Sequence, residues 1–311
     1  MGTPEFAVPS LRAVARACEV AAVVTRPDRP QGRGLESGPS AVALEAGRLG
    51  LEVAKPEQPN APATRDRLAA LAPDLLAVVA FGAILGRELL ATPRLGAINL
   101  HGSLLPEYRG ASPVQRALWE GRAWTGVTTL WMDEGIDTGD LILQRWCPIP
   151  ASADAGTLAG SLAELGAPLL AESLALAHAG RAPRRPQERG AGSYAAKLTK
   201  RDGAVDWSLD AVAVWNRQRA VTPWPGAAAS FEGRRLQIIA AQPADLLPAG
   251  KPPGTVLEVG SESVTVACGR GSLALLRVKP EGRGEMGGAD WARGARLKPG
   301  AAFELPAEAH A

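Results

Sequence analysis

Two folds in series are what this sequence predicts: an α/β unit built on a doubly wound parallel sheet, then a small antiparallel β-barrel. Three observations carry that expectation. Apolar, strand-like runs alternate with helix-compatible segments as far as residue 178. A basic stretch rich in proline and glycine follows. Beyond it come short strands separated by glycine turns.

The elements follow in order. "EVAAVVT" (Glu19 to Thr25), "DLLAVVAF" (Asp74 to Phe81), "GAINLH" (Gly96 to His101) and "GVTTLWM" (Gly126 to Met132) read as strands. They are apolar on both faces, as in a sheet covered by helices on both sides. Between them Ser40 to Gly50, Thr64 to Ala72 and Ser112 to Glu120 are helix-compatible, and a further helix over about Thr157 to His178 closes the unit. Gly180 to Arg201 carries seven basic residues against the single acid Glu188 and reads as a linker. After a helical segment over Leu209 to Ala220, "AAASFEGRRLQIIAA" and "GTVLEVGSESVTVACGRGSLALLRVKP" break into strands at Glu-Gly, Gly-Ser and Gly-Arg-Gly turns. The expected division is 1–180, a linker 181–203, and 204–311.

Composition narrows the function. With 46% hydrophobic and 21% charged residues over 311 positions, the chain is globular and long enough for two cores. The net charge of +2 leaves any nucleic-acid contact to local basic patches. Cys18, Cys147 and Cys268 form no CxxC pair, and a reduced, cytoplasmic protein without a metal is expected. No secretory leader is legible, and no apolar run reaches bilayer length.

The stretch "INLHGSLLP" (Ile98 to Pro106) is where chemistry concentrates. Side chains alternate along a strand, so Asn99 and His101 share one face while Ile98 and Leu100 take the other. Ligands of open α/β sheets bind outside the carboxyl ends of the strands. Carboxylates are available in "DEGIDTGD" (Asp133 to Asp140), which adjacent parallel strands bring near the imidazole through Asp137 or Asp140. An amide, an imidazole and a carboxylate suit acyl transfer through a tetrahedral intermediate. Taken by itself, Asn-x-His equally fits a hydrogen-bonded turn histidine. The acidic loop is no EF-hand, because Gly135 and Ile136 interrupt the ligand alternation and Gln144 stands at position twelve. No serine nucleophile elbow and no metal-ligand spacing is present.

"NLHGSLLPEYRGASPVQRALWEG" followed by "GVTTLWMDEGIDTGDLI" resembles the folate-dependent formyltransferases. The likeness extends to "GTPEFAVPSL", "TRPDRPQGRG", "YAAKLTKRDGAVDWS" and "RAVTPWPGA", and points to the branch acting on charged initiator tRNA. It implies a Rossmann-like catalytic domain and an OB-like C-terminal barrel. It implies transfer of the formyl group of 10-formyltetrahydrofolate to the α-amine of methionine on initiator tRNA, by a monomer, with no metal. The family's catalytic Asn, His and Asp fall on Asn99, His101 and Asp137, and its folate-binding segment on Ser103, Leu104, Leu105 and Pro106. Its tRNA contacts fall on Arg26, Arg29 and Arg33 of the first loop and on Lys197 and Lys200. Trp224 of "TPWP" is expected to pack structurally. Family members begin with an apolar strand that ends where Met1 stands, so the cellular chain is expected to start upstream. Formylation of an amino sugar or other small amine, and an RNA-binding homologue with impaired catalysis, are the alternative readings.

Overall fold

The computed structural model describes residues 1–31, 36–188 and 190–304. The chain forms two compact units. The first takes Met1–Pro113, Trp124–Pro148 and Leu158–Ala196; the second takes Val114–Ala123, Ile149–Thr157 and the chain from Lys197 onward.

In the first unit, α1 (Val8–Ala17) is followed by β1 (Val23–Val24), the hairpin strands β2 (Arg29–Gln31) and β3 (Glu36–Gly38), α2 (Ala41–Arg48), β4 (Val53–Ala54), α3 (Pro62–Ala70), β5 (Leu76–Val79), α4 (Arg87–Leu90) and β6 (Ala97–His101). β1 pairs with β4, and β5 with β6, both parallel. Met1 and Gly2 lie between these two pairs. Gly2 N donates to Val24 O at 3.0 Å, and Val79 N donates to Met1 O at 2.9 Å. This part of the unit has the expected parallel, Rossmann-like arrangement. The strand predicted over Glu19 to Thr25 is paired only at Val23–Val24.

The fourth predicted strand corrects the all-parallel expectation. After β7 (Arg109–Gly110) and α5 (Pro113–Trp119), β8 (Trp124–Trp131) runs antiparallel to β6, and β9 (Leu141–Pro148) antiparallel to β8. Only residues 102–123 separate β6 from β8, and α5 within them joins the second unit. No covering crossover helix returns the chain to the head of the sheet, and parallel pairing needs one. α6 (Ala155–His178) covers the back of this sheet from Leu158 on. Leu100, fully buried on β6, rests on Gly166, where an added Cβ would lie 2.7 Å from a Leu100 methyl. Thr129 and Ser173 share a buried hydroxyl bond of 2.7 Å across the same contact.

The segment read as a linker is held to the first unit. Trp131 Nε1 donates to Pro183 O at 3.0 Å, Arg185 bridges Leu141, and β10 (Tyr194–Ala195) pairs with β7. Its basic character is partly absorbed by packing, since the Arg184 guanidinium lies 4.1 Å above the Trp131 ring.

The second unit adds α7 (Ala211–Ala220) and an antiparallel sheet of β11 (Ala227–Phe231), β12 (Arg234–Asp245), β13 (Val256–Val259), β14 (Val264–Ala267), β15 (Ser272–Pro280) and β16 (Met286–Gly287), then α8 (Gly288–Gly294). The order is β11-β12-β15-β14-β13, with β16 on β15. Antiparallel strands are therefore as expected; closure into a barrel is not found in this pairing. Trp207, Phe231, Trp291 and Phe303 form one aromatic cluster with centroids 5.2 to 6.0 Å apart. Arg219 is buried against Trp215 and donates to Ala151 O and Ala153 O, fixing α7 to that segment. Trp224 departs from expectation: it is 53% exposed. The turn over residues 221–225 carries it outward from the core that the neighbouring Val221 and Ala227 enter.

Candidate active site

β6 ends at His101, and its buried pattern breaks at one residue, Asn99, which is half-exposed. Ile98 and Leu100 anchor the strand in the core from the other face. The register pairs Asn99 with Leu130 and His101 with Thr128, confirming that the amide and imidazole share a face.

Asp137 reaches that face from the loop that leaves β8, not from a neighbouring parallel strand. Asn99 Nδ2 donates to Asp137 Oδ1 at 3.1 Å. Asp137 Oδ2 lies 3.4 Å from His101 Nδ1 and accepts from Gly110 N at 2.8 Å. The imidazole is 6% exposed and the carboxylate 13%. Asp140, the alternative carboxylate, lies 3.9 Å from Arg184 and joins no contact with the imidazole.

The tautomer follows from the partner of the other ring nitrogen. His101 Nε2 lies 2.9 Å from Tyr108 O, and a carbonyl only accepts, so Nε2 carries a hydrogen. Nδ1 therefore faces Asp137. Their contact becomes a hydrogen bond when a proton stands between them. Asn99 keeps its second amide hydrogen for a ligand, and it and Asp137 are partly exposed while His101 is buried.

The backbone around the cluster is bent to hold it. Asp137 has φ of 55° and Tyr108 of 61°, left-handed values that cost a non-glycine residue roughly 1 to 3 kcal/mol. Gly110, at φ 108°, passes so close to β10 that a Cβ would lie 2.8 Å from Ala195 O. Only glycine brings that N–H to the carboxylate. Sequence reading singled out neither Tyr108 O nor Gly110 N, because backbone groups leave no residue signature; the glycine of "YRG" is the one available clue.

The segment Ser103–Pro106 follows directly. Ser103 is fully buried, its hydroxyl donating to Glu107 O at 2.6 Å. Leu105 is buried, its N–H donating to Thr128 Oγ1 at 3.1 Å while its carbonyl accepts from Gln144 Nε2 at 2.7 Å. Leu104 and Pro106 are half-exposed. Along the acidic loop runs an open cleft of about 470 Å³, lined by Arg87, Leu90, Ala91, Met132, Asp133, Glu134 and Gly135.

Of the basic residues, Arg26 is half-exposed, Lys197 and Lys200 are exposed, and Arg29 lies on β2. Arg33, with Gly32 and Gly34, lies outside the described residues. Among the described residues no group of three His, Cys, Asp or Glu is placed to hold a metal, and no helix is long and apolar enough to cross a membrane.

A mixed α/β unit presenting an Asn-His-Asp cluster, followed by an antiparallel unit, is an arrangement suited to acyl-group transfer. The family model "Formyl transferase" matches residues 6–174, and "Formyl transferase, C-terminal domain" matches 197–296. The chain belongs to the formyl transferase family. It is 44% identical over 301 residues to the methionyl-tRNA formyltransferase of Moorella thermoacetica, covering 96% of both chains. Against that of Stenotrophomonas maltophilia it is 46% identical over 302 residues, covering 96% of this chain and 98% of the relative. Among solved structures, the sugar 3N-formyl transferase WlaRD shares the fold with TM-score 0.66 at 16% identity, covering 91% of this chain and 96% of that one. The N-formyltransferase from Helicobacter canadensis gives TM-score 0.65 at 18% identity, covering 88% and 97%.

Proposed function

We propose that this chain transfers the formyl group of 10-formyltetrahydrofolate to the α-amine of methionyl initiator tRNA, and that Asn99, His101 and Asp137 carry the transfer. The observation behind this reading is the Asp137 carboxylate joining the Asn99 amide and the His101 imidazole on one strand face, in a chain more than 40% identical to methionyl-tRNA formyltransferases along almost its whole length. Placement in the cytoplasm accords with such an activity.

An α-amine has an ordinary pKa of about 7.7 to 8.0, so much of it is neutral near neutral pH and needs little activation. The barrier lies in the oxyanion formed when nitrogen attacks the formyl carbon. The uncommitted Asn99 hydrogen is preorganised to donate to it. His101 acts on the proton: with Nε2 held by Tyr108 O, Nδ1 and Asp137 take up the proton that the amine nitrogen loses, and return it to the departing nitrogen of the donor. A second oxyanion donation from His101 requires Nδ1 to leave Asp137, whereas Asn99 acts without rearrangement.

For the donor, the buried hydroxyl of Ser103 restricts contact at Ser103, Leu104, Leu105 and Pro106 to backbone groups and the exposed edges of Leu104 and Pro106. The cleft beside Leu90 and Met132 falls within the usual volume of small-ligand sites, about 300 to 1,000 Å³, and its apolar and polar mixture suits a flat heteroaromatic ring. For the acceptor, Arg26 and Arg29 of the first unit, Arg33, and Lys197 and Lys200 of the second unit are the proposed phosphate contacts, with the second unit OB-like and a monomer as the acting species.

Single-turnover transfer by the Asn99→Ala and His101→Ala proteins tests the roles. Loss of the oxyanion donor predicts roughly 10²- to 10³-fold slower transfer, and loss of the imidazole roughly 10²- to 10⁴-fold. Near-normal rates in either protein would remove that residue from the mechanism.

A further inference from the structure

Gln187 and Arg109 form a clamp that acts on Asp137 from behind. The Gln187 side-chain amide donates both hydrogens to the acidic loop, to Asp137 O and to Gly139 O, each at 2.8 Å. Its oxygen accepts from both Arg109 Nε at 3.0 Å and Arg109 Nη2 at 2.7 Å. Arg109 Nη1 donates to Ala191 O at 3.1 Å. Arg109 also precedes Gly110, whose N–H binds the Asp137 carboxylate. Asp137 is thus held at both ends by one closed ring: its carbonyl by Gln187, its carboxylate by the backbone next to Arg109, and Gln187 to Arg109 between them.

The ring meets a mechanical need. Asp137 sits at a φ of 55°, which a residue with a Cβ does not keep unless its surroundings impose it. The loop from Asp133 to Asp140 is mostly exposed and has little core of its own to impose anything. Gln187 supplies two donors at the bend; only a carboxamide, Gln or the shorter Asn, offers two amide hydrogens and an acceptor for an arginine fork in one planar group. From the sequence, Gln187 falls in a basic, proline-rich stretch where only the charges attract notice.

We propose that Gln187, braced by Arg109, is a positioning residue for catalysis: it fixes Asp137 in the left-handed conformation that brings its carboxylate to Asn99 and His101. This rests on the reading of Asp137 as part of the reacting cluster. A misplacement of about 1 Å in a reacting constellation costs on the order of 10²-fold in rate.

The test is a double-mutant cycle in the full-length protein, with Gln187→Met, Asp137→Asn and the pair, measuring kcat and KM for both substrates and the melting temperature. Gln187→Met keeps the length and removes all four hydrogen bonds; Arg109→Lys, which keeps the charge and loses the fork, is the second probe should Gln187→Met not fold. The expected result is a kcat lowered roughly 10- to 100-fold with KM changed less than threefold, a loss that vanishes in the Asp137→Asn background. An unchanged kcat, or a loss that multiplies with that of Asp137→Asn, would overturn the clamp. If Asp137→Asn itself keeps normal turnover, the role of Asp137 fails instead, and the two failures are told apart by that single variant.

Discussion

At the scale of single residues, function here rests on which hydrogens are committed. Tyr108 O claims the Nε2 hydrogen of His101, and Asp137 claims one hydrogen of Asn99. ¹⁵N chemical shifts of the His101 ring should therefore report a protonated Nε2 across the folded pH range; a neutral ring protonated only at Nδ1 would contradict the geometry. The pairing of Asn99 with His101 was legible in the sequence because strand periodicity alone places them on one face. From the residues alone the carboxylate was one of two candidates, and the family resemblance assigned Asp137. What selects Asp137 over Asp140 is a left-handed backbone and a Gly110 N–H, and neither follows from residue type. Thiol chemistry belongs elsewhere: burial pushes Cys268 up to about 12, so it stays a protonated thiol at neutral pH.

At the scale of elements, the site depends on how tightly helices hold the sheet. Gly166 lets α6 approach β6 at Leu100. Gly166→Val should force the two apart, lowering stability by roughly 1 to 3 kcal/mol in chemical denaturation, and more than the same change at Gly160, where nothing stands near an added Cβ. An equal effect at both positions would show that helix propensity, not packing, sets the cost. α1 and α2 are tied by Glu45, which accepts from Arg12 Nε at 2.6 Å and Nη2 at 3.0 Å and pairs with Arg48. The Arg12 hydrogen bond holds the Glu45 carboxyl below its ordinary value. A carboxylate depressed in the folded state stabilises above its unfolded pKa, about 4.3, and that contribution is lost as pH falls through the folded value. Glu45→Gln should lower the melting temperature at pH 7 and narrow its gap from the parent below about pH 4; a gap that persists unchanged in acid would exclude the ion pair as its source. Most helices stand within a few residues of the segments read as helix-compatible, for instance α2 at Ala41–Arg48 within Ser40 to Gly50. The direction of β8 was not readable, since a strand's apolar run looks the same whichever way it is paired.

For the molecule as a whole, the first unit holds the Asn99, His101 and Asp137 cluster and the second an aromatic core. A net charge of +2 gives no bulk attraction for RNA, so binding must rest on a few cations. Replacing Lys197 and Lys200 by Gln should weaken tRNA binding across sequences and reduce the slope of log affinity against log salt by about one per lost phosphate contact. An unchanged slope would place the phosphates elsewhere. Arg33→Ala, tested alongside, should reduce use of charged tRNA while sparing donor binding. The segment Gly180–Arg201 shows the limit of charge as a guide: Arg184 and Arg185 pack on the first unit, and composition cannot distinguish a cation that stacks on tryptophan from one that awaits a phosphate. Acceptor choice decides whether charged initiator tRNA is the substrate. With 10-formyltetrahydrofolate as donor, the protein should formylate methionyl initiator tRNA with a kcat/KM orders of magnitude above that for a nucleotide-linked amino sugar, and should release little free formate. Preferential formylation of the sugar amine, or donor hydrolysis with no transfer to charged tRNA, would contradict that reading.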